Sequence, residues 1–317
     1  MTIRRRVLLA AAFAVGLAGP AWAQSLDITV PSNPGGGFDQ TARALQGVLE
    51  KDKLASRIQI INTPGGGGTI GLAQFATTKA KRAGSIMVGG LAIVSAVPIN
   101  KAPVTLDQVK PLARLTGEYL VLAVPKSSPL QSVEELIAKF KADPRSVSWG
   151  AGSAGSADHL LIGLLAQAAG VEPKGINYIA HSGGGEALSA VIGGHVTVGV
   201  SGYGEFEPQV AAGNLRVLAI SSEQRIAGID APTFKEKGLD VTLVNWRGIF
   251  APPGLKDDEF KALAEMVDKA VKSPAWKEAL QKHSWQDLYL PAAPFETYLS
   301  RNRSSVTAVL KDIGLAQ

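Results

Sequence analysis

One order of elements recurs along this chain and limits the folds open to it: strand, Gly/Ser-rich loop, helix, twice in each half. Residues 26–31 alternate and are β-branched, as a strand requires. Pro34-Gly35-Gly36-Gly37 then turns the chain, and Phe38, Ala42, Leu45 and Leu49 fall at helical spacing. Residues 57–61 read as a second strand, followed by the Gly run 64–68 and a helix near 69–77, and residues 85–88 as a third strand. The unit returns with a strand at 146–149, a small-residue loop at 150–156 and an apolar helix at 157–168 ended by Gly170. A strand at 175–179, a loop at 182–185 and a helix at 186–192 complete the repeat, with further strands at 196–200 and 215–220. Such alternation predicts an α/β protein whose two domains each hold a mostly parallel sheet flanked by helices. Loops at the carboxyl ends of strands in both halves predict a cleft between them.

The boundaries follow from two strand-like segments, 119–124 and 241–250, which flank the second half. If the chain crosses over at both, residues 125–240 form one domain and residues 24–124 plus 241–317 the other. The helices expected near 257–272, 274–281 and 294–311 then return to the first domain. Two crossover strands make a hinge, which suits closure around a ligand.

Residues 1–23 stand apart. Arg4, Arg5 and Arg6 precede an apolar run of twelve, Gly19-Pro20 breaks it, and Ala21-Trp22-Ala23 supplies a small-x-small pattern before Gln24. That is the pattern of a cleavable secretory signal peptide, too short for a membrane span, and it predicts a periplasmic protein. Its removal takes away three arginines and no acids, which lowers the formal net charge from +5 to +2 and argues against nucleic acid as a partner. With no cysteine and four histidines, disulfides, thiolate metal sites and thiol catalysis are excluded, and a His-rich metal site is not expected. No cofactor is implied.

Four Gly/Ser loops stand just before expected helices, at 33–39, 63–69, 152–156 and 182–185. A helix start leaves backbone N–H groups unpaired and carries positive partial charge, so it attracts anions, and glycine lets a ligand approach the backbone. Four such starts converging on one cleft predict a site for a small polyanion. Each loop taken singly is also an ordinary tight turn. Neither Gly run is a P-loop, since Thr69 follows Gly68 without a lysine, and 152–157 lacks the third glycine of a dinucleotide fingerprint. Ser153 lies one glycine short of a nucleophile elbow, but Ser153 and Ser156 read better as helix caps with Asp158 in the first turn. His195 and His283 read as surface or interface residues, and Trp246 with Arg247 as a cleft-side pair or as hinge packing.

The segments Pro31-Ser-Asn-Pro-Gly-Gly-Gly-Phe-Asp39 with Arg43, Asn62-Thr-Pro-Gly-Gly-Gly-Gly-Thr69, Gly193-Gly-His-Val196 and Ala212-Gly-Asn-Leu-Arg-Val-Leu-Ala219 occur in this order. Together they resemble the signatures of the tripartite tricarboxylate transporter receptors, also called Bug proteins. The resemblance implies a two-domain periplasmic binding protein of the Venus-flytrap kind that captures an organic acid and catalyses nothing. It also implies delivery of the solute to a large and a small integral-membrane subunit, and a monomer is expected. By the same resemblance, Pro34, Gly36, Gly37, Phe38 and Asp39 with Gly66, Gly67, Gly68 and Thr69 hold one carboxylate through backbone N–H groups and water. Ser153, Ser156, Asp158 and His159 with Ser182, Gly183 and Gly184 hold the other end, with Tyr203 nearby.

The departures are specific. Many members have Val-Pro-Tyr-Lys-Gly where this chain has Ile179-Ala-His-Ser-Gly183, and many have Asp at a cleft position where it has Ser201. Segments 181–188, 201–206 and 244–253 look most like the citrate and tricarballylate branch. An Asp beside the ligand would repel a further carboxylate in a poorly solvated cleft. Ser201 and His181, as donors, therefore lead us to expect a ligand with two or three carboxylates, citrate-like first. Two other classes share these features: a periplasmic sensor that presents its ligand to a signalling partner, and a hydrolase using Ser153, Ser156 or Ser182.

Overall fold

The computed structural model describes residues 25–181 and 184–317, so the segment 1–23 and the site candidates Ser182 and Gly183 lie outside the described residues. The chain opens with β1 (Leu26–Val30), whose apolar residues Leu26, Ile28 and Val30 share one buried face, while Thr29 is buried on the other. It continues through α1 (Gly37–Lys51), β2 (Ile58–Asn62), α2 (Thr69–Thr78), β3 (Ser85–Gly90) and α3 (Leu91–Ile99). Ala42, Leu45, Val48 and Leu49 give α1 a single buried stripe against the sheet, with Asp39 in its first turn and Lys51 in its last.

A 16-residue strand, β4 (Lys110–Pro125), then leads into α4 (Val133–Ala142), β5 (Ser148–Ala151), α5 (Ala157–Ala169) and β6 (Asn177–Ala180). After these come α6 (Gly184–Ile192), β7 (Val198–Gly202), α7 (Tyr203–Ala211) and β8 (Leu215–Ile220). The chain closes with β9 (Val244–Ala251), α8 (Asp257–Val271), α9 (Pro274–Lys282), β10 (Gln286–Pro291) and α10 (Ala292–Asp312).

The strands follow the order β2-β1-β3-β9-β4-β7-β5-β6, with β10 and β8 also paired to β4. Within it, β2-β1-β3 and β6-β5-β7 are two matching parallel blocks, and β9 and β4 run antiparallel between them. The α/β architecture read from the sequence is observed, with helices flanking the sheet, but the sheet is mixed rather than mostly parallel, because β9, β4, β8 and β10 all pair antiparallel. In both blocks the central strand has its neighbours on opposite sides, and the crevice at its carboxyl end is where ligands sit in open α/β sheets.

β4 joins the halves. Its residues from Lys110 to Tyr119 pair with β9, whereas Leu120 to Pro125 pair with β7 and β8. The return passage lies beside it: the Leu243 N–H donates to the Ser221 carbonyl, and Ser221 Oγ donates back to the Leu243 carbonyl while accepting from the Leu120 N–H. Both connections therefore run side by side.

The last helix departs from expectation, because α10 serves both halves. Phe295 packs edge-on to Trp246 at 5.4 Å, and Trp246 Nε1 donates to Asn302 Oδ1 at 3.0 Å. Its far end meets α5, where a Cβ at Gly163 would stand 2.7 Å from Ile313. With 21 residues α10 is roughly 32 Å long, enough to span the base of the molecule. The sequence reading also missed β10, the first part of β4, α3, α4 and α7. In β4 the cause is two register shifts and a charged composition, and in α3 an apolar surface all round, which has no helical period. Among the described residues no helix is long and apolar enough to cross a membrane.

Candidate ligand-binding cleft

Two loops in the first half are built to expose backbone N–H groups. At the start of α1, Asp39 is buried and its carboxylate accepts from the Gly35 N–H at 2.8 Å, Arg43 Nε at 2.7 Å and Asn62 Nδ2 at 3.0 Å. Burial pushes its pKa upward, but the bonds from Arg43, Gly35 and Asn62 outweigh that and hold it below the usual range. Asp39, expected to face the ligand, is therefore spent on tying the loop to α1 and to the end of β2. Asp39→Asn is expected to cost about 1–2 kcal/mol at neutral pH. Urea melts should show that deficit shrinking as pH falls through the carboxylate range, because a depressed acid pKa stabilises only while the acid is ionised.

After β2, Gly65, Gly66, Gly67 and Gly68 all have positive φ, from +58° to +119°. Four consecutive residues in this region require glycine, and they curl the run into a concave nest in which the Gly68 N–H closes onto the Gly65 carbonyl at 3.0 Å. The Gly66 carbonyl is fixed from behind by Thr69 Oγ1 at 2.9 Å and Asn100 Nδ2 at 2.8 Å, so the Thr69 hydroxyl serves the loop.

The second half repeats the design with a different electrostatic outcome. The Gly152 N–H donates to Asp158 Oδ2 at 2.9 Å, as Gly35 does to Asp39, while Tyr178 OH donates to the Gly152 carbonyl at 2.7 Å. Among the described residues Asp158 has no basic partner. Burial, joined by repulsion from Glu205 and Glu118, pushes its pKa up to about 7 against the hydrogen bonds from Gly152 and Ser156. His159 is buried, stacks on Tyr178 at 3.8 Å between centroids and accepts the Gly155 N–H at Nδ1; burial lowers its pKa to about 4. With Nδ1 occupied and the ring packed, His159 is a structural residue. It is not a base for Ser153.

These loops face a cleft of about 850 Å³ between the two halves. Of the expected residues, Gly36, Gly37, Phe38, Gly67, Gly68 and Ser153 line it. Pro34, Asp39, Gly66, Thr69, Ser156, Asp158 and His159 support its walls without lining it. His181 stands back from it, with its Nδ1 3.2 Å from the Ala151 carbonyl, and Gly184 opens α6. Tyr203 lines a smaller adjoining pocket of about 280 Å³.

Ser201 corrects the charge reasoning. It is 3% exposed, and its Oγ donates to Glu205 Oε2 at 2.6 Å. The negative charge expected to be missing stands one helical turn farther on, at Glu205, which does line the cleft. Burial and repulsion from Glu118 raise the Glu205 pKa, partly offset by Ser201 and Arg247.

The floor of the cleft comes from residues that the sequence reading did not assign. Glu118 on β4 and Arg247 on β9 form an ion pair, and Asn245 Nδ2 donates to the same Glu118 oxygen at 3.1 Å. The Arg247 guanidinium lies 5.4 Å from the Trp285 ring, which stacks on His283 at 4.3 Å. Thus Arg247, left open between cleft and hinge, belongs to the cleft, whereas Trp246 is buried in the core. Lys282 and Glu207 complete the charged lining. Among the described residues no cluster of His, Cys, Asp or Glu is arranged to hold a metal ion.

Comparison with known proteins agrees with this geometry. Residues 41–315 match the model of the tripartite tricarboxylate transporter family receptor. A Cupriavidus necator protein, the UPF0065 protein in the gbd 5′ region, is 28% identical over 99% of this chain and 98% of its own length. The structure of a TctC solute-binding protein from Polaromonas superposes with a TM-score of 0.76 at 24% identity, covering 91% of this chain and 98% of that one. An R. palustris protein with adipate superposes with a TM-score of 0.77 at 22% identity, covering 92% and 98%.

Proposed function

Because the chain belongs to the tripartite tricarboxylate transporter receptor family, and is thus a solute receptor rather than an enzyme, we propose that it captures a small organic di- or tricarboxylate. Capture takes place in the periplasm, after removal of residues 1–23, by closure of residues 24–124 with 241–317 upon 125–240. The loaded monomer delivers its solute to the large and small membrane subunits of such a transporter.

The observation that supports this reading is the convergence of the α1 start, the Gly65–Gly68 nest and the Ser153 loop on one cleft. Unpaired N–H groups in such places bind carboxylates without needing a basic side chain for each one. The similar R. palustris structure holds adipate, a dicarboxylate. Glu118, Glu205 and Glu207 line the same cleft and oppose a third carboxylate, so two acid groups are favoured over the citrate-like three first expected.

A thermal-shift panel of mono-, di- and tricarboxylates and aromatic acids tests the reading, since a ligand bound only by the folded state raises the melting temperature. Dicarboxylates at a hundredfold excess over Kd should add about 2.7 kcal/mol of stability. A panel in which no carboxylate moves the melting temperature would sink the proposal.

A further inference from the structure

The network that fixes Arg247 leaves one edge of its guanidinium unused. Arg247 is 6% exposed, its Nη2 is paired with Glu118, and Nη1 is buried with no hydrogen-bond partner among the described residues. The guanidinium also lies directly under the start of α1, where a Cβ on Gly37 would stand 2.7 Å from Nη2 and 3.0 Å from Nε. With one acid partner and one unpartnered nitrogen, this guanidinium keeps donor capacity for a second acid.

We propose that Arg247 is the specificity residue of this cleft: its guanidinium, which lines the cleft and turns Nε and Nη2 toward the start of α1, donates to the ionised carboxylate that settles there. This rests on the reading of the cleft as a carboxylate site and adds to it a side chain that distinguishes a carboxylate from its neutral amide. Glu118 does not cancel that role, because a guanidinium carries five donors and can serve two acids on two edges. Glu118 and Trp285 instead hold the fork in place, so that little side-chain freedom is lost on binding. Gly37 is required for the same reason, since any side chain there would strike the guanidinium. A lysine at 247 would keep the charge and lose the fork.

Calorimetric titration with succinate, adipate and citrate, each beside its fully amidated analogue, tests this on wild type, Arg247→Lys, Arg247→Met and Glu118→Gln. The wild type should bind at least one acid more than tenfold tighter than its amide. Arg247→Met should lose at least tenfold in affinity for that acid while its weak affinity for the amide stays unchanged. Arg247→Lys should fall between, and Glu118→Gln, whose amide oxygen still accepts from Nη2 but carries no charge to repel the ligand, should bind the acid more tightly. If the Arg247 variants melt lower yet keep the acid-over-amide preference, the residue is only structural and the inference is overturned. If the wild type binds none of the three acids, the carboxylate reading itself fails and this inference falls with it.

Discussion

At pH 8 the Asp158→Asn variant should melt well above the wild type, and at pH 4 the two should melt together. Asp158 carries the pKa of about 7 that burial and the nearby Glu205 and Glu118 impose, whereas an unfolded aspartate ionises near 3.8. Above pH 7 both states are ionised and the folded one bears the full cost of a charge without a basic partner. Between 3.8 and 7 the folded state holds a proton that the unfolded state has released, so stability falls as pH rises through this window. Below it both states are protonated and the cost is absent. About three pKa units correspond to roughly 4 kcal/mol at most. Asparagine keeps an acceptor for the Gly152 N–H, so the substitution removes the charge with little change in shape.

His159 works in the opposite direction. Its pKa, lowered to about 4, means that acidification from 6.5 towards 4 protonates the unfolded state first and destabilises the fold. In the wild type the two residues partly offset each other over this range. In Asp158→Asn only the histidine slope remains, so the melting temperature should drop more steeply on acidification than in the wild type. Parallel melting curves for the two proteins from pH 4 to 8 would mean that Asp158 is ionised at its ordinary value.

The second large effect concerns Gly71, one turn into α2. Its φ is negative, so backbone strain plays no part, but a Cβ there would stand 2.7 Å from Pro31 Cβ, 3.0 Å from Pro31 Cα and 2.9 Å from the Thr63 carbonyl. The obstacle is mostly backbone. Pro31 directly follows β1 and Thr63 directly follows β2, and the Thr63 N–H donates to the Val30 carbonyl at 2.8 Å, so neither segment can yield alone. Gly71→Val should therefore cost about 3 kcal/mol, the upper end for overpacking. At roughly 2–4 °C per kcal/mol, the melting temperature should fall by roughly 6–12 °C. Because the displaced segments carry both anion-binding loops, carboxylate affinity should fall more than tenfold in the protein that remains folded. Gly47→Ala on α1, where a Cβ meets nothing within 4 Å, is the matched control and should be neutral or slightly stabilising. Equal melting temperatures for Gly71→Val and wild type would mean that α2 is free to move away from β1 and β2.

What could be read from the sequence was whatever is local. The Gly run 64–68 read as a loop before a helix, and a strand–loop–helix order repeated twice per half leaves few topologies besides a doubly wound α/β pair. The charged floor was not local. Glu118 and Arg247 are far apart in sequence and meet because β4 and β9 run antiparallel, with Thr116 opposite Arg247 and Glu118 opposite Asn245. Trp285 was a readable signal that went unused: a lone large aromatic in an otherwise polar stretch, turned inward by a strand, β10, that was not foreseen.

Ser201 shows a different limit. Its neighbourhood was judged by residue type at one position, whereas α7 begins two residues later and brings Glu205 to within 2.6 Å. The spacing of four between Ser201 and Glu205 was the available clue. Asp39 and Asp158 show a third limit, since similar positions at the start of α1 and α5 give opposite pKa shifts. Arg43 and Asn62 reach the first, and among the described residues nothing basic reaches the second.

Calorimetric titration of the mature protein with adipate and with adipamide, at pH 7 and low salt, tests the central claim most directly. The cleft as described should bind adipate with a stoichiometry of one and bind adipamide more than tenfold more weakly, because unpaired N–H groups and the Arg247 guanidinium favour an ionised oxygen. Equal heats and equal affinities for acid and amide, or one-to-one binding of the amide alone, would contradict it.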